Sequence, residues 1–245
     1  MKLSLFLTRF EKLTQVLSSR DFLKALVRNR VLAGAEHRMV LHSDMATVID
    51  IGANRGQFTL AVRRWAPKAR IIAFEPLSCS ANRFRKVFRR DSRVALHQVA
   101  IGPEKGQTII HVSAADDSSS LLPISAIQER LFPRTGEIRT ETIKIGRLAD
   151  FVSRGDIKAP AMLKLDVQGF ELSTLSGCEG LMDHFSLVYI ECSFVELYIG
   201  QAMADEVILW LKERNFRLRG VYNVVCDKKG QAIQGDFLFK RSSCD

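Results

Sequence analysis

Hydrophobic and polar positions divide the chain into two kinds of segment that follow one another in turn. Short apolar runs rich in β-branched residues predict buried strands, and apolar residues at helical spacing predict helices between them. The predicted strands span residues 46–51, 70–75, 94–100, 161–167 and 187–192, and the predicted helices span residues 57–66, 78–90, 170–184 and 202–214. Alternation of this kind is typical of a parallel sheet with helices on both faces. The pattern therefore predicts a doubly wound α/β fold.

Three segments depart from this alternation. Residues 1–44 predict a helical N-terminal cap, because their apolar residues recur at helical spacing, as in Phe6, Phe10, Leu13, Leu17, Phe22 and Leu26. Residues 103–146 are rich in Ser, Asp and Pro and predict an insertion over the active face. Two strands near 217–226 and 234–240 predict an antiparallel C-terminal edge hairpin, which brings the mostly parallel sheet to seven strands. We expect one domain over residues 45–245 behind the cap.

Composition is that of an ordinary globular protein, with 245 residues, 47% hydrophobic and 26% charged. No apolar run reaches the roughly 18 to 20 residues of a membrane span. Arg9, Glu11 and Lys12 interrupt the N-terminus before a signal-peptide core could form, which predicts a cytoplasmic protein. The 5 cysteines are scattered and never paired as C-x-x-C, which favours reduced thiols over a disulfide framework or a zinc site.

The net charge of +9 suits a nucleic acid, an anionic substrate or a membrane surface. Much of the excess lies in residues 82–93, where basic residues surround Phe84 and Phe88 at helical spacing. This spacing is typical of an amphipathic helix with a solvated basic face. We expect the charge to attract an anionic acceptor, or to give peripheral contact with a membrane that contains one, rather than to bind nucleic acid.

The stretch VIDIGANRGQF, residues 48–58, predicts a ligand-binding loop after the first strand. In open parallel sheets, ligands bind beyond the carboxyl ends of the strands, where the backbone must come close to them. Gly52 and Gly56 permit such an approach. Their spacing differs from the G-x-G-x-x-G of dinucleotide-binding enzymes, which indicates a ligand without a pyrophosphate.

Glu75 ends the second predicted strand, about 20 residues beyond the glycine loop, where an acid can accept hydrogen bonds from both hydroxyls of a ribose. Together with Asp50, Gly52, Asn54 and Gly56, it describes a site for a nucleoside that bears a compact charged group. S-adenosylmethionine is the commonest ligand of this description.

Several motifs occur in an order that resembles the FkbM family of class I S-adenosylmethionine-dependent methyltransferases. They are VIDIGANRGQFT (48–59), AFEP (73–76), VAIG (99–102), DDSSSLL (116–122) and LKLDVQGFELSTLSGCEGLM (163–182), followed by YIECS and ELYIG. The resemblance covers residues 46–240 and leaves residues 1–44 outside. It implies O-methylation of a hydroxyl, typically on a sugar, a glycolipid or a polyketide-like secondary metabolite.

Taken with these motifs, the chain offers a set of expected contacts. We expect cofactor contacts from Asp50, Gly52, Ala53, Asn54, Gly56, Glu75, Pro76, Val99, Ala100, Ser119 and Asp166. We expect acceptor contacts from Ser120, Gln168 and Glu171. The default interpretation of Ser119 and Ser120 is a surface loop, and that of Glu171 is an acid that suits the start of a helix.

Methyl transfer to oxygen requires alignment and a base for the hydroxyl proton. Asp166 closes the fourth strand, and we expect it to position and deprotonate the acceptor, with Glu191 as a second candidate. A histidine is an alternative base, but His97, His111 and His184 lie where histidines are more often structural. Asp166 and Glu191 also offer oxygen ligands that suit Mg²⁺, although two acids are a thin basis for a metal site, and none is predicted.

Other functions share parts of this pattern. A nucleic-acid methyltransferase would have the same fold and would explain the basic charge, but amino-group methylation of bases commonly uses [ND]-P-P-[YF] after the fourth strand, where this chain has DVQG. A nicotinamide-dependent oxidoreductase is disfavoured by the glycine spacing. A non-catalytic nucleoside-binding domain stays open as an alternative. The sequence does not predict the identity of the acceptor.

Overall fold

The computed structural model describes residues 19–242, and ten strands lie within this range. They are β1 (Thr47–Ile51), β2 (Arg70–Phe74), β3 (Val94–His97), β4 (Ala100–Ile101), β5 (Gly106–Ser113), β6 (Glu137–Gly146), β7 (Ala161–Leu165), β8 (Leu187–Ser193), β9 (Phe216–Cys226) and β10 (Ala232–Arg241). Helices connect or flank them. These are α1 (Arg20–Asn29), α2 (Gln57–Trp65), α3 (Ser78–Phe88), α4 (Ala126–Leu131), α5 (Glu171–Cys178) and α6 (Ala204–Glu213).

The main sheet has the order β3-β2-β1-β7-β8-β10-β9, which makes seven strands within the described residues. β1 is central and pairs in parallel with both β2 and β7, so Ile49 lies opposite Ile72 on one side and Leu163 on the other. β10 is antiparallel to both of its neighbours. The order confirms the predicted doubly wound, mostly parallel sheet. The C-terminal hairpin differs in one respect, because β10 lies inside the sheet and β9 alone forms the edge.

Two predicted elements are divided in the structure. The predicted strand 94–100 ends at His97, and residues 100–101 belong to a second sheet with the order β4-β6-β5. Apolar residues resume at Val99, directly after His97 and Gln98, so periodicity alone does not reveal the change of sheet. The predicted helix 170–184 ends at Cys178 and continues as a 3₁₀ segment over Glu179–His184.

The central strands are buried on both faces, which explains their nearly continuous apolar sequences. All five residues of β1 and all five of β7 are buried. One face packs against Leu175 of α5 and Leu211 of α6, and the other face packs against Phe58 and Val62 of α2. Because both faces are covered, the carboxyl ends of these strands are where a ligand can reach the sheet.

The segment before β1 packs on the domain. Phe22 of α1 is buried and meets Trp65 edge to face, with ring centroids 5.8 Å apart. A 3₁₀ segment, Ala35–Val40, follows α1 and leads into β1. Phe6, Phe10, Leu13 and Leu17 of the predicted cap lie outside the described residues, and the boundary at residue 44 stays a prediction. Within residues 19–242, no helix has both the length and the apolar character that crossing a membrane requires.

Candidate functional site

A cleft opens at the carboxyl ends of β1, β2 and β7, the position that the sequence predicts. Its lining includes the predicted residues Gly52, Ala53, Asn54, Glu75, Pro76, Val99, Ala100, Ser119, Ser120, Asp166 and Gln168. Asp50, Gly56, Glu171 and Glu191 are absent from the described lining, and their expected roles toward a ligand stay predictions.

The loop after β1 is hydrogen-bonded to the end of β2 and packs closely against the loop after β7. The backbone N–H groups of Gly52 and Ala53 both donate to the carbonyl of Phe74 at 3.0 Å. Gly52 has a φ of +73°, and a Cβ at this position would lie 1.8 Å from the carbonyl oxygen of Asp166. Only glycine fits this approach. Gly56 serves packing instead, since a Cβ there would lie 2.4 Å from the Phe88 ring.

Glu75 follows β2 directly, and its carboxylate has a fixed orientation at the cleft. Oε2 accepts a hydrogen bond from the N–H of Asn54 at 2.9 Å, and Oε1 accepts one from the N–H of Leu77 at 2.8 Å. Asn54 has a φ of 45°, and its buried Oδ1 has no hydrogen-bond partner among the described residues. A buried acceptor of this kind fits a ligand that brings a donor.

Lys164 is a cleft residue that the sequence analysis missed. Its Nζ lies 3.1 Å from Asp50 Oδ1 and 3.8 Å from Asp166 Oδ2, and it donates to the carbonyl of Gly52 at 3.0 Å. Burial alone would lower the pKa of Lys164, but Asp50 and Asp166 raise it, so the group stays a cation. The signal was available in the sequence, because a lone lysine in an otherwise apolar strand requires a buried partner.

Asp50 is this partner and does not reach the cleft. It is fully buried, and its Oδ2 also accepts a hydrogen bond from Thr59 Oγ1 at 2.7 Å. The expected contact of Asp50 with the cofactor stays a prediction, and in the structure its side chain contacts Lys164 and Thr59. The carboxylate fixes Lys164, and Lys164 in turn holds the Gly52 carbonyl.

Gln168 connects the two carboxylates that were candidates for catalysis. Its Nε2 donates to Asp166 Oδ1 at 2.7 Å and to Glu191 Oε2 at 2.8 Å, while its Oε1 accepts a hydrogen bond from Tyr198 Oη at 2.7 Å. The amide thus lies between the carboxylates that were considered as Mg²⁺ ligands. Within residues 19–242, no cluster of three or more His, Cys, Asp or Glu side chains has a metal-binding arrangement.

Glu171 and Glu191 stabilise the loop after β7 by accepting hydrogen bonds from it. Glu171 Oε1 accepts hydrogen bonds from the N–H groups of Val167 and Gly169, both at 3.2 Å. Burial raises the pKa of Glu171 to about 7. Burial, together with the nearby charge of Asp166, also raises the pKa of Glu191 well above its usual range.

The insertion brings its serines to the cleft. Ser120 Oγ donates to the carbonyl of Gln168 at 2.5 Å, and Ser119 Oγ accepts a hydrogen bond from the N–H of Ser113 at 3.1 Å. Ser120 itself is buried. Ser120 thus fixes the insertion against the loop after β7, whereas Ser119 stabilises the insertion internally. Both residues line the cleft.

His37 is a second cleft residue that the sequence analysis missed. It lies in the 3₁₀ segment before β1, and its Nδ1 is 3.0 Å from Tyr189 Oη. Burial lowers the pKa of His37 despite the opposing charge of Asp236. His97, His111 and His184, the histidines that were weighed from the sequence, are absent from the described lining. No local pattern distinguishes His37, because its partner Tyr189 is distant in the chain.

Comparisons with known proteins find similarity to methyltransferases. The family model "Methyltransferase FkbM domain" matches residues 50–218, more than half of the chain. A relative from Sinorhizobium fredii, named 2-O-methyltransferase NoeI, is 29% identical over 177 residues, which cover 67% of this chain and 72% of that protein. Methyltransferase 1 from Beauveria bassiana is 26% identical over 160 residues, which cover 59% of this chain and 62% of that protein.

Solved structures with a remote likeness include precorrin-6y C5,15-methyltransferase from Geobacter metallireducens, with a TM-score of 0.46, 10% identity and coverage of 85% of this chain and 86% of that chain. Fibrillarin from Aeropyrum pernix has a TM-score of 0.44 and 11% identity, and the match covers 81% of this chain and 67% of that chain. The family assignment depends on the sequence match over residues 50–218. By that match, the chain belongs to the FkbM methyltransferase family.

Proposed function

We propose that the chain transfers the methyl group of S-adenosylmethionine to a hydroxyl of a sugar, a glycolipid or a secondary metabolite. Membership of the FkbM family supports methyl transfer. The name of the relative from Sinorhizobium fredii, a 2-O-methyltransferase, supports oxygen as the acceptor atom. When bound, the donor supplies a methyl carbon that its sulfonium has already activated.

The observation that carries this proposal is the position of Glu75. Its carboxylate is 6% exposed, lies at the carboxyl end of β2, and is held by two backbone N–H groups so that it borders the cleft. A carboxylate oxygen can accept more than one hydrogen bond, so Glu75 can also receive the two hydroxyls of a ribose. An acid in this position is the usual ribose contact of doubly wound nucleotide-binding folds.

Other parts of the cleft suit the rest of the donor. Phe74, Leu77, Val99 and Ile101 offer an apolar surface for a base. The unpaired Oδ1 of Asn54 suits an ammonium group. The residues that would hold the donor are therefore those of the β1 and β2 loops, with Ala100 and Pro76 beside them.

Asp166 is the residue that we assign to the alignment of the acceptor hydroxyl. Its side chain is 42% exposed and borders the cleft, and its two oxygens face a donor from Gln168 and the ammonium of Lys164. These contacts orient the carboxylate as a hydrogen-bond acceptor. An alcohol that donates to Asp166 would have its oxygen directed into the cleft.

The basic surface of α3 supports an anionic acceptor or a membrane that presents one. Arg85 and Lys86 of α3 are exposed, as are Arg89 and Arg90 directly after it, while Phe84 is buried. The helix thus has the amphipathic form that its sequence predicts. A nucleic-acid acceptor is the second candidate, and the net charge of +9 is the observation that favours it. Both are tested by one acceptor screen.

Calorimetry with S-adenosylhomocysteine tests the donor site. Glu75→Ala removes a charged acceptor and should weaken binding about 10²-fold, since a hydrogen bond to a charged group contributes about 1.5 to 3 kcal/mol. Glu104→Ala, at an exposed position, is the matched control and should bind like wild type. Equal affinity in the two variants, or tighter binding of NAD than of S-adenosylhomocysteine, would contradict the proposal.

Labelled S-adenosylmethionine then tests the acceptor. We expect transfer to members of a panel of methyl glycosides, lipid-linked sugars and polyketide alcohols, read by mass spectrometry as a gain of one methyl on oxygen. Single-stranded and duplex nucleic acids form the second arm. Methylation in that arm alone would establish the second candidate instead.

A further inference from the structure

A chain of hydrogen bonds joins His37 to a buried acid on the last strand. Tyr189 Oη lies 2.9 Å from Asp236 Oδ2, and His37 Nδ1 lies 3.0 Å from the same Tyr189 oxygen. Asn223 Nδ2 donates to Asp236 Oδ2 at 2.7 Å. The network thus connects the segment before β1 with β8, β9 and β10.

The direction of these bonds fixes the tautomer of His37. The carboxylate of Asp236 can only accept, so Tyr189 donates its hydroxyl proton to Asp236. The Tyr189 oxygen then offers a lone pair to His37, which must donate from Nδ1. In neutral His37 the proton therefore lies on Nδ1, and Nε2 holds the basic lone pair.

The ring edge that contains Nε2 lies beside Gly34. Both His37 and Gly34 line the cleft, and a Cβ on Gly34 would lie 2.7 Å from Cδ2 and 3.2 Å from Nε2 of His37. Glycine at position 34 therefore leaves space beside this edge. Among the described residues, Nε2 makes no hydrogen bond, while Phe58 and Tyr189 hold the ring by edge-to-face contacts with centroids 5.2 and 5.6 Å away.

Charged groups surround His37 from each element near it. Glu36 precedes it in the 3₁₀ segment, Asp236 faces it from β10, Lys164 from β7, and Asp166 from the loop after β7. Burial is the largest influence on its pKa and lowers it, so the imidazole is neutral at pH 7. A neutral, oriented imidazole at a cleft is the usual form of a general base.

We infer that His37 is the general base of the methyl transfer, with Tyr189 and Asp236 as its positioning residues; this inference rests on the proposed function. The acceptor oxygen forms its bond to the methyl carbon while the sulfur–carbon bond breaks and its electron pair goes to sulfur. The hydroxyl proton passes to Nε2. One positive charge is thus lost from the sulfonium and one is gained by the imidazolium, which then releases its proton to solvent.

This assignment divides between two side chains the positioning and proton removal that the sequence predicts for Asp166. Lys164 and Gln168 hold Asp166 as a hydrogen-bond acceptor, which suits alignment of the hydroxyl. His37 has no such donor at Nε2 among residues 19–242. Asp236 Oδ2 lies 3.6 Å from His37 Nδ1, so it stabilises the imidazolium directly as well as through Tyr189. Alignment and proton removal are therefore performed by different side chains.

The tautomer is measurable on the protein without any acceptor. Nitrogen-15 labelled histidine gives separate NMR shifts for protonated and bare ring nitrogens, and His37→Gln identifies the signals of residue 37. We expect the proton on Nδ1, a titration midpoint below 6.5, and a change of tautomer population in Tyr189→Phe. A proton on Nε2 in the neutral wild-type protein would overturn the inference.

Single-turnover methylation of a glycoside or alcohol from the panel tests the chemical role. His37→Gln should lower the rate by about 10² to 10⁴, abolish the acidic limb of the wild-type pH profile, and leave S-adenosylhomocysteine affinity within about threefold. The control His42→Gln, at an exposed histidine outside the described lining, should retain the wild-type rate. If the wild type is active and His37→Gln has the same rate, His37 is not the base, while the proposed function stands. If the wild type methylates no hydroxyl, the proposed function is wrong, and the NMR measurement of the tautomer tests the inference about His37.

Discussion

Lys164→Met should destabilise the domain strongly, because it leaves a buried carboxylate without its cation. Asp50 has 0% exposure and Lys164 only 6% side-chain exposure, and their charged atoms are 3.1 Å apart. Removal of one partner from a buried ion pair typically costs about 3 to 5 kcal/mol. The hydrogen bond from Nζ to the Gly52 carbonyl is lost as well. For a domain of this size, the loss corresponds to a fall in Tm of roughly 6 to 20 °C.

Urea unfolding at pH 7 measures the effect, with Lys158→Met as the matched control. Lys158 is an exposed lysine shortly before the same strand, so its substitution should change the free energy of unfolding by less than about 0.5 kcal/mol. The double variant Asp50→Asn with Lys164→Met removes both charges and should recover at least half of the loss. A Lys164→Met protein within about 1 kcal/mol of the control would refute the reasoning that this pair is a buried, mutually dependent unit.

Three further outcomes are expected. Asp166→Asn should lower the single-turnover rate by about 10² to 10⁴ with nearly unchanged S-adenosylhomocysteine affinity; a rate within threefold of wild type would remove Asp166 from the alignment step. Glu171→Gln should flatten the pH dependence of stability. A carboxyl whose folded pKa is raised from 4.5 to about 7 stabilises the fold fully below pH 4.5, and this stabilisation is lost as pH rises through 7. In urea titrations, the wild type should therefore lose on the order of 3 kcal/mol more unfolding free energy than the variant between pH 5 and 8. Gly52→Ala should reduce S-adenosylhomocysteine affinity at least tenfold by calorimetry, because a Cβ 1.8 Å from the Asp166 carbonyl must displace one of the two loops; wild-type affinity would show that the loops move freely.

The central sheet was predictable because its signals are local. The apolar runs of β1 and β7 are nearly continuous, and the fold places their carboxyl ends side by side. Gly52, Glu75 and Asp166 could therefore be assigned to one cleft from their places in the sequence. The change of sheet between His97 and Ala100 was not predictable in this way, since both parts of the run are apolar.

Side-chain pairing over long distances accounts for the rest. The position of Asp50 before the glycine loop predicts a ligand contact, but its side chain is buried and binds Lys164 and Thr59. Alternation along a strand indicates which residues share a face and does not identify their partners on other strands. His37 and Asp236 lie far apart in the chain, and no spacing in the sequence indicates that contact.

The contact between the segment before β1 and the last strand also affects the order in which the protein becomes competent during synthesis. Roughly 200 residues separate His37 from Asp236, and at about 5 to 20 residues per second the ribosome needs roughly 10 to 40 seconds to make them. The glycine loop and Glu75 leave the ribosome much earlier, but the loop is held by Lys164 of β7. The acid that orients His37 follows later still, so methyl transfer should be acquired only after β10 has emerged.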